Sequence, residues 1–233
     1  MRKVILCADT LGEDIVDCLS CFVDEVKMMP RCDDVPGGIG YHPDMLGFAD
    51  GSTLWLNDVY YQKNAAFFDE LGVCVVPCAE QYGVYPLDVR FNAFAVGRVL
   101  VGHRASLSAA VVRAFDSVCD VKQGYAKCSS AVFGNNLITA DRGIAVAAEA
   151  LGASVLLIEP GSILLEGYDY GFIGGALVEV SDDTLVAFGD MSAHPQGAEI
   201  EAFANSKGYH IISFANRALT DHGGILVLNI QEN

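Results

Sequence analysis

Four stretches of this chain repeat one plan: an apolar arm, a tight turn of Gly, Asn, Asp or Ser, and a second apolar arm with a polar exit. They read MLGFADGSTLWLND, FNAFAVGRVLVGH, SAVFGNNLITAD and GALVEVSDDTLVAFGD. Turn formers between paired apolar runs predict β-hairpins. A helical stretch follows each hairpin, near 64–71, 107–115, 143–151 and 197–206, and then one more apolar strand: VCVVP, SVCDV, SVLLIEP and YHIISF. This alternation predicts an α/β architecture. Corresponding positions Asp44, Asp88, Cys128, Phe172 and Asp221 recur at intervals of 44, 40, 44 and 49 residues. A unit of that size cannot bury its apolar face alone, so the units must stack or close on one another.

The fifth unit is divided between the two ends of the chain. GGILVLNI supplies one strand near the C-terminus, while KVILCAD and a helix over 11–26 supply the missing later pieces. Pairing Ile225 to Asn229 with Lys3 to Cys7 would close the units into a ring and remove its exposed edges. An open mixed sheet is the competing arrangement. A single domain over 1–233 is expected.

Thirty acidic against fourteen basic residues give a net charge of -16. Such a field repels phosphate backbones and anionic lipid, so neither nucleic acid nor a membrane is an expected partner. No window offers the roughly 18 apolar residues of a spanning helix. The eight cysteines, without a secretory signal, read as free thiols in a reducing, cytoplasmic setting. Cys18 and Cys21 form a CxxC, but Leu11, Ile15, Leu19, Phe22, Val23 and Val26 repeat around them with helical period, which predicts burial in mid-helix. Cys74 and Cys78 lie where a strand runs into a turn, and no His or Cys pair completes a zinc pattern with them. No metal or other cofactor is expected.

The second arms end in Asp9, Asp58, His103, Asp141 and Asp190, and the first arms begin near His42, Asp44, Asp88, Asn92, Asp221 and His222. In a closed ring these ends would gather at one mouth. Carboxylates and imidazoles there would hold a cationic small molecule through charge-assisted hydrogen bonds. The competing role for each Asp or Asn is to cap a helix or satisfy a turn. His194, close to Asp190, is either an acid–base group or a helix-start residue, and His42 and His222 carry the same two readings with acidic neighbours. Paired glycines in GFIGGALVEV and DHGGILVL permit close backbone approach or unusual torsions. GxGxxG, GxxxxGK and GxSxG are all absent, which leaves dinucleotide, P-loop and hydrolase-elbow readings without support.

The segments YHPDML, YPLDVRFNAF, YDYGFIGGALVEV, VAFGDMSAHPQG and LTDHGGILVLN resemble a bacterial branch of the guanidine-modifying superfamily, which includes arginine and agmatine deiminases, amidinotransferases and dimethylarginine hydrolases. The resemblance implies a five-bladed β/α propeller with pseudo-five-fold repeats, its final blade closed by the N-terminal segment. It also implies acidic residues of the early blades on the guanidinium, a histidine that assists proton transfer, and a last-blade cysteine that attacks the guanidinium carbon. Asp44 and Asp88 match the acidic positions, and Gly223 and Gly224 match the final glycine pair. The strand after them, ILVLN, has no cysteine, and YAKCSS lacks the third-blade histidine. Covalent chemistry of this kind needs a thiolate, so an ordinary deiminase is disfavoured. Cys128 opens the third repeat and is either a pore-facing nucleophile or a strand-packed thiol.

The resulting expectation is a protein that binds a guanidino or other cationic small molecule, or a divergent hydrolase of a carbon–nitrogen bond in one. The candidate catalytic residues are His194, His222 and Cys128. The candidate ligand-binding residues are His42, Asp44, Asp88, Asn92, Asp141, Asp190 and Asp221. The alternative is a noncatalytic protein-interaction module, since a similar five-fold ring serves a translation initiation factor that docks on ribosomal protein.

Overall fold

The computed structural model describes residues 1–231. β1 (Arg2–Cys7), α1 (Glu13–Ser20) and β2 (Glu25–Met28) open the chain, and α2 (Pro43–Leu46) leads into β3 (Gly47–Asp50) and β4 (Thr53–Asn57). Then come α3 (Asp58–Lys63), α4 (Ala65–Leu71) and β5 (Cys74–Cys78). The next unit is β6 (Phe94–Val96), β7 (Val99–Gly102), α5 (Ala109–Arg113) and β8 (Ser117–Asp120). It is followed by β9 (Ser130–Phe133), β10 (Asn136–Thr139), α6 (Arg142–Ala150) and β11 (Ser154–Leu157). The last complete unit is β12 (Leu177–Ser181), β13 (Thr184–Ala187), α7 (Gly197–Ser206) and β14 (His210–Ile212), after which β15 (Ile225–Ile230) stands alone.

These strands make five three-stranded sheets of one design, the five blades of a β/α propeller. In each, an antiparallel hairpin is extended by a third strand lying parallel to the second arm. A parallel neighbour requires a crossover, and the helix between the two strands provides it. The fifth sheet, in the order β15-β1-β2, joins the two ends of the chain. Its antiparallel register sets Cys7 opposite Ile225 and Lys3 opposite Asn229, as the pairing inferred from the sequence required. An axial cavity of ≈ 240 Å³ is lined by one strand of every sheet, β3, β6, β9, β12 and β15, so the first arms form the inner wall of the ring.

Apolar side chains fill the seams between sheets. Val4, Leu6, Leu226 and Leu228 of the closing blade pack in one cluster with Leu54 and Leu56 of its neighbour. On its other side Ile5, Cys7 and Ile225 pack with Val178, Val186 and Phe188. Strand alternation makes this two-sided burial possible, and each fully buried Leu or Ile contributes about 1.5–3 kcal/mol.

The helix expected over 11–26 is shorter than its periodicity suggests. α1 ends at Ser20, and Glu25 to Met28 pair parallel with Val4 to Cys7 as the third strand of the closing blade. The Lys3 amide bonds the Asp24 carboxylate at 2.7 Å, and the Asp24 amide bonds the Lys3 carbonyl at 3.0 Å, fixing where that strand begins. Tertiary pairing overrides a weak local helical preference here. The expected mid-helix burial of the CxxC is corrected with it: Cys21 is exposed at the end of α1 and Cys18 is half-buried. No helix among the described residues is long and apolar enough to cross a membrane.

Leu228→Ala, at the buried seam of the closing pair, is expected to lower the unfolding free energy by about 2–5 kcal/mol in urea titration. Cys21→Ser, at the exposed end of α1, is expected to change it by less than about 0.5 kcal/mol. Equal effects would contradict the closure.

Candidate functional site

The first arms start at one end of the ring, and the segments just before them carry the polar groups that meet there. Pro43, in the first turn of α2, suits that position because its missing N–H would be unpaired anyway. The short helix buries His42 and Asp44 at 2% and 1% exposure. Asn92, ahead of β6, is fully buried. Its side-chain oxygen accepts from the amides of Lys127 (2.8 Å) and Cys128 (3.1 Å), and its Nδ2 donates to Cys128 Sγ at 2.8 Å. With the sulfur already accepting from Asn92, the thiol proton is directed to Asp44 Oδ2, 2.9 Å away. Asn92 is therefore a clamp that presents the Cys128 thiol to a carboxylate, and it acts from behind the thiol.

A second buried carboxylate comes from the last blade. Asp221 accepts from the Phe172 amide (2.8 Å) through Oδ2 and from the Gly223 amide (2.9 Å) through Oδ1. Its Oδ1 is 3.8 Å from His42 Nδ1. The paired glycines are what bring these groups together. A Cβ on Gly175 would overlap the Asp221 carboxylate, and one on Gly223, whose φ is +74°, would overlap His42. The Gly174 amide bonds the Cys128 carbonyl at 2.8 Å, and the His222 and Gly224 amides bond the Gly175 carbonyl at 2.9 and 3.2 Å, tying the entrances of the third, fourth and last blades into one unit.

Outside this group lies a cavity of ≈ 250 Å³, with His42, Cys128 and Asp221 at its polar end and Tyr125, Phe172, Tyr168, Tyr170 and Leu165 among its walls. Asp44 sits behind the thiol, where it also touches the axial cavity. Tyr125 and Phe172 stack with centroids 6.1 Å apart, and Tyr85 stacks on Tyr125 at 5.7 Å. The Tyr125 hydroxyl donates to Asp88 Oδ2 at 2.6 Å, so Asp88 orients a wall of the cavity from outside it. Three buried polar atoms in this region have no partner among the described residues: His42 Nε2, Asp44 Oδ1 and Asp88 Oδ1. Buried polar atoms are nearly always satisfied, and a cluster of exceptions marks a place prepared for something else.

Burial, followed by the nearby charge of Asp221, pushes Asp44 up to about 7. Burial pushes Asp221 up to about 6, against the two amides that favour its ionised form. The Cys128 thiol is held well above its ordinary value by burial first and then by the charges of Asp44 and Asp221. His42 is driven down to about 3 by burial and then by His222, which keeps its imidazole neutral at pH 7. The desolvated Lys127 ammonium acts on both acids in the opposite direction without overcoming burial, and a further bound cation would stabilise the ionised forms that burial opposes.

The structure places several sequence-derived candidates away from this cavity. Asp141 accepts from the Ile144 amide (2.8 Å) and Asp190 from the Ser192 amide (3.0 Å), so both cap helical turns outside the cavity. Asp9 pairs with Arg31, and Asn57 caps the helix in which Asp58 lies. The second arms are the middle strands of the blades, one strand spacing of about 4.8 Å further from the axis, so their ends serve the helices that follow. His194 is buried in a separate small cavity, where Nδ1 accepts from the Gln196 amide at 3.1 Å. His222 lies 2.8 Å from the Thr10 hydroxyl and edge-on to Phe188, away from the cavity lining. Of the three, His42 is the imidazole in the cavity lining. Among the described residues, no group of three or more His, Cys, Asp or Glu is arranged to hold a metal ion. The aromatic wall was missed, although the spacing of Tyr125, Tyr168, Tyr170 and Phe172 ahead of two strand starts was its available signal.

Asp44 titrates far above its unfolded value, so the native state keeps its proton while the unfolded chain has released it. This contribution to stability is complete below about pH 4 and is lost as pH rises through about 7. Asp44→Asn is expected to flatten that loss, on the order of 2 kcal/mol, and to be more stable than the wild type at pH 8. Urea titrations at pH 5 and 8 would expose a contrary result as a variant weaker at both.

No curated protein matches this sequence. Among solved structures, a dimethylarginine dimethylaminohydrolase variant in adduct with S-methyl-L-thiocitrulline superimposes with a TM-score of 0.58 at 13% identity, covering 98% of this chain and 99% of that one. A point variant of the Pseudomonas aeruginosa enzyme DDAH, complexed with citrulline, gives 0.56 at 11% identity over 98% and 99% of the two chains. At these identities the likeness is one of fold, and it agrees with the five repeated sheets. Residues 7–226 match a sequence family directly, and the chain belongs to that family, the family of unknown function DUF6873.

Proposed function

We propose that this chain binds a small molecule with a planar cationic head, a guanidinium or amidinium, against Asp221 and Cys128, and hydrolyses a carbon–nitrogen bond in it. The observation that carries the reading is a buried thiol held between the Asn92 amide and Asp44, 2.8 and 2.9 Å from each, facing a cavity that contains a second buried carboxylate. Proteins of the same fold described in adduct with S-methyl-L-thiocitrulline and in complex with citrulline support chemistry of this class.

In this reading the cation supplies the missing charge. It favours ionised Asp221 and lets Asp44 accept the thiol proton, so the thiolate forms only when the site is filled. The sulfur attacks the planar carbon, and the carbon–nitrogen π pair moves to nitrogen. Asp44 returns its proton to the departing amine as that bond breaks. Water then attacks the sulfur-bound carbon and gives a proton to His42, whose Nε2 is free of other partners. The carbon–sulfur bond breaks, the proton on His42 passes to the thiolate, and the product urea gives its extra proton to the released amine. Asn92 is a positioning residue that holds the sulfur in line, and Tyr125, fixed by Asp88, gives the cation an aromatic face.

Calorimetric titration with methylguanidine, together with an assay for released amine, tests both halves. Wild-type protein is expected to bind more tightly at pH 7.5 than at 5.5, because Asp221 must be ionised. Cys128→Ser is expected to bind but to release no amine. Asp44→Asn is expected to keep binding within about tenfold, since it stands behind the thiol, and to lose at least about 100-fold in turnover. Binding without turnover in the wild type would reduce the protein to a cation-binding role, and the absence of binding would remove the proposal altogether.

A further inference from the structure

We infer that the molecule taken by this cavity carries no carboxylate and bears a flat apolar group beside its cationic head. The inference rests on the cation reading above and names the chemical class of the ligand.

Charge supplies the first argument. Among the described residues no Lys or Arg lines the cavity, whose acidic residues are Asp221 at the inner end and Asp169 in the wall. A carboxylate on the ligand would meet no cation and two like charges, within a chain whose net charge is -16. His42 is held neutral by burial and offers no countercharge. Arg31 and Arg217 of neighbouring loops are engaged elsewhere, with Asp9 at 2.6 Å and Asp14 at 3.0 Å. Lys127, the desolvated cation that acts on Asp44 and Asp221, lines the axial cavity behind the thiol and not this one. An α-amino acid would therefore leave its carboxylate desolvated and unpaired, a cost this wall does nothing to offset.

Shape supplies the second argument. At ≈ 250 Å³ the cavity has room for roughly eight waters of liquid, far more than a guanidinium head requires. The surplus volume is walled by flat rings, Tyr125 and Phe172, with planes only 25° apart. The rim continues the apolar character outward. Tyr168 and Tyr170 are 43% and 41% exposed, Leu164 is 55% exposed, and Tyr85 across the mouth is 51% exposed. These side chains come from two separate loops, 79–93 and 158–172, and contribute little to the core. Stacked rings with an apolar rim are suited to an aromatic or similarly flat substituent.

Four probes decide the matter by calorimetry at pH 7.5: benzylguanidine, methylguanidine, arginine and the neutral isostere benzylurea. Benzylguanidine is expected to bind at least about tenfold more tightly than methylguanidine, and arginine more weakly than either. Tyr170→Ala, in the outer wall of the cavity, is expected to weaken benzylguanidine more than methylguanidine and so remove most of the benzyl advantage. Arginine binding more tightly than methylguanidine, or no gain from the benzyl group, would overturn this inference while leaving the cation reading intact. Benzylurea binding as tightly as benzylguanidine would overturn the cation reading itself.

Discussion

The antiparallel pairing of the first and last strands is the constraint on which the rest of the molecule depends. Without it the ring would have two free sheet edges and two uncovered apolar seams. With it, Cys7 stands opposite Ile225, and the turn from Asp221 to Gly224 is fixed at the end of the axis. That turn delivers a carboxylate to the same mouth as His42 from the first blade and Cys128 from the third. The bonds from Gly174 to the Cys128 carbonyl and from Asp44 to the Gly223 carbonyl cross between blades at this mouth. Ring closure and site assembly are consequently one event, held by the same backbone segments.

The site is assembled against the preference of its own side chains. Two carboxylates and a thiol are removed from water near one desolvated ammonium, that of Lys127, whose charge acts on both acids without offsetting burial, and the shifts of Asp44 and Asp221 toward neutrality show how strongly burial opposes their charge. Asn92 offers one compensation by filling its hydrogen-bonding capacity on the Cys128 segment. Asp221 has another in its two backbone amides. Asp44 Oδ1 has none. A core selected for stability alone would place an apolar residue there, so the retained acid argues for a role in ligand chemistry.

The repeated hairpins made most of the fold legible, because turn residues between apolar arms are local signals and a recurring unit repeats its own confirmation. The end-to-end closure was legible for a different reason: the chain ends held the two halves of one missing unit. The helix over 11–26 was misread because helical period and strand alternation overlap in a short apolar run, and the pairing of Glu25 to Met28 with β1 is a long-range event. The site divided along the same line. Asp44, Cys128 and Asp221 were marked by recurrence at equivalent places in the repeat. Asp141 and Asp190 were chosen for chemistry that a helix cap shares, and only distance from the axis separates the two roles. Part of the aromatic wall repeats as well, since Phe172 falls at the recurring position and Tyr125 stands three residues ahead of Cys128 as Tyr85 does ahead of Asp88, whereas Tyr168 and Tyr170 come from a loop without such counterparts.

The position of the thiol follows from the symmetry of the ring. Each blade sends the start of its inner strand to the same mouth, so a side chain there can face the cavity from any of five directions. The resemblance to guanidine-modifying proteins implies a cysteine in the last blade, where this chain instead has Asp221, His222 and two glycines. The third blade, where a histidine is implied, has Cys128, and His42 approaches from the first. A thiol, a carboxylate and an imidazole are thus all present at the mouth, on blades other than those the resemblance implies. A ring of equivalent positions permits such an exchange because it preserves convergence of the groups while changing the side from which each arrives. The proposed chemistry requires that convergence, together with a thiol that can lose its proton to Asp44, and it does not require any particular blade to supply the sulfur.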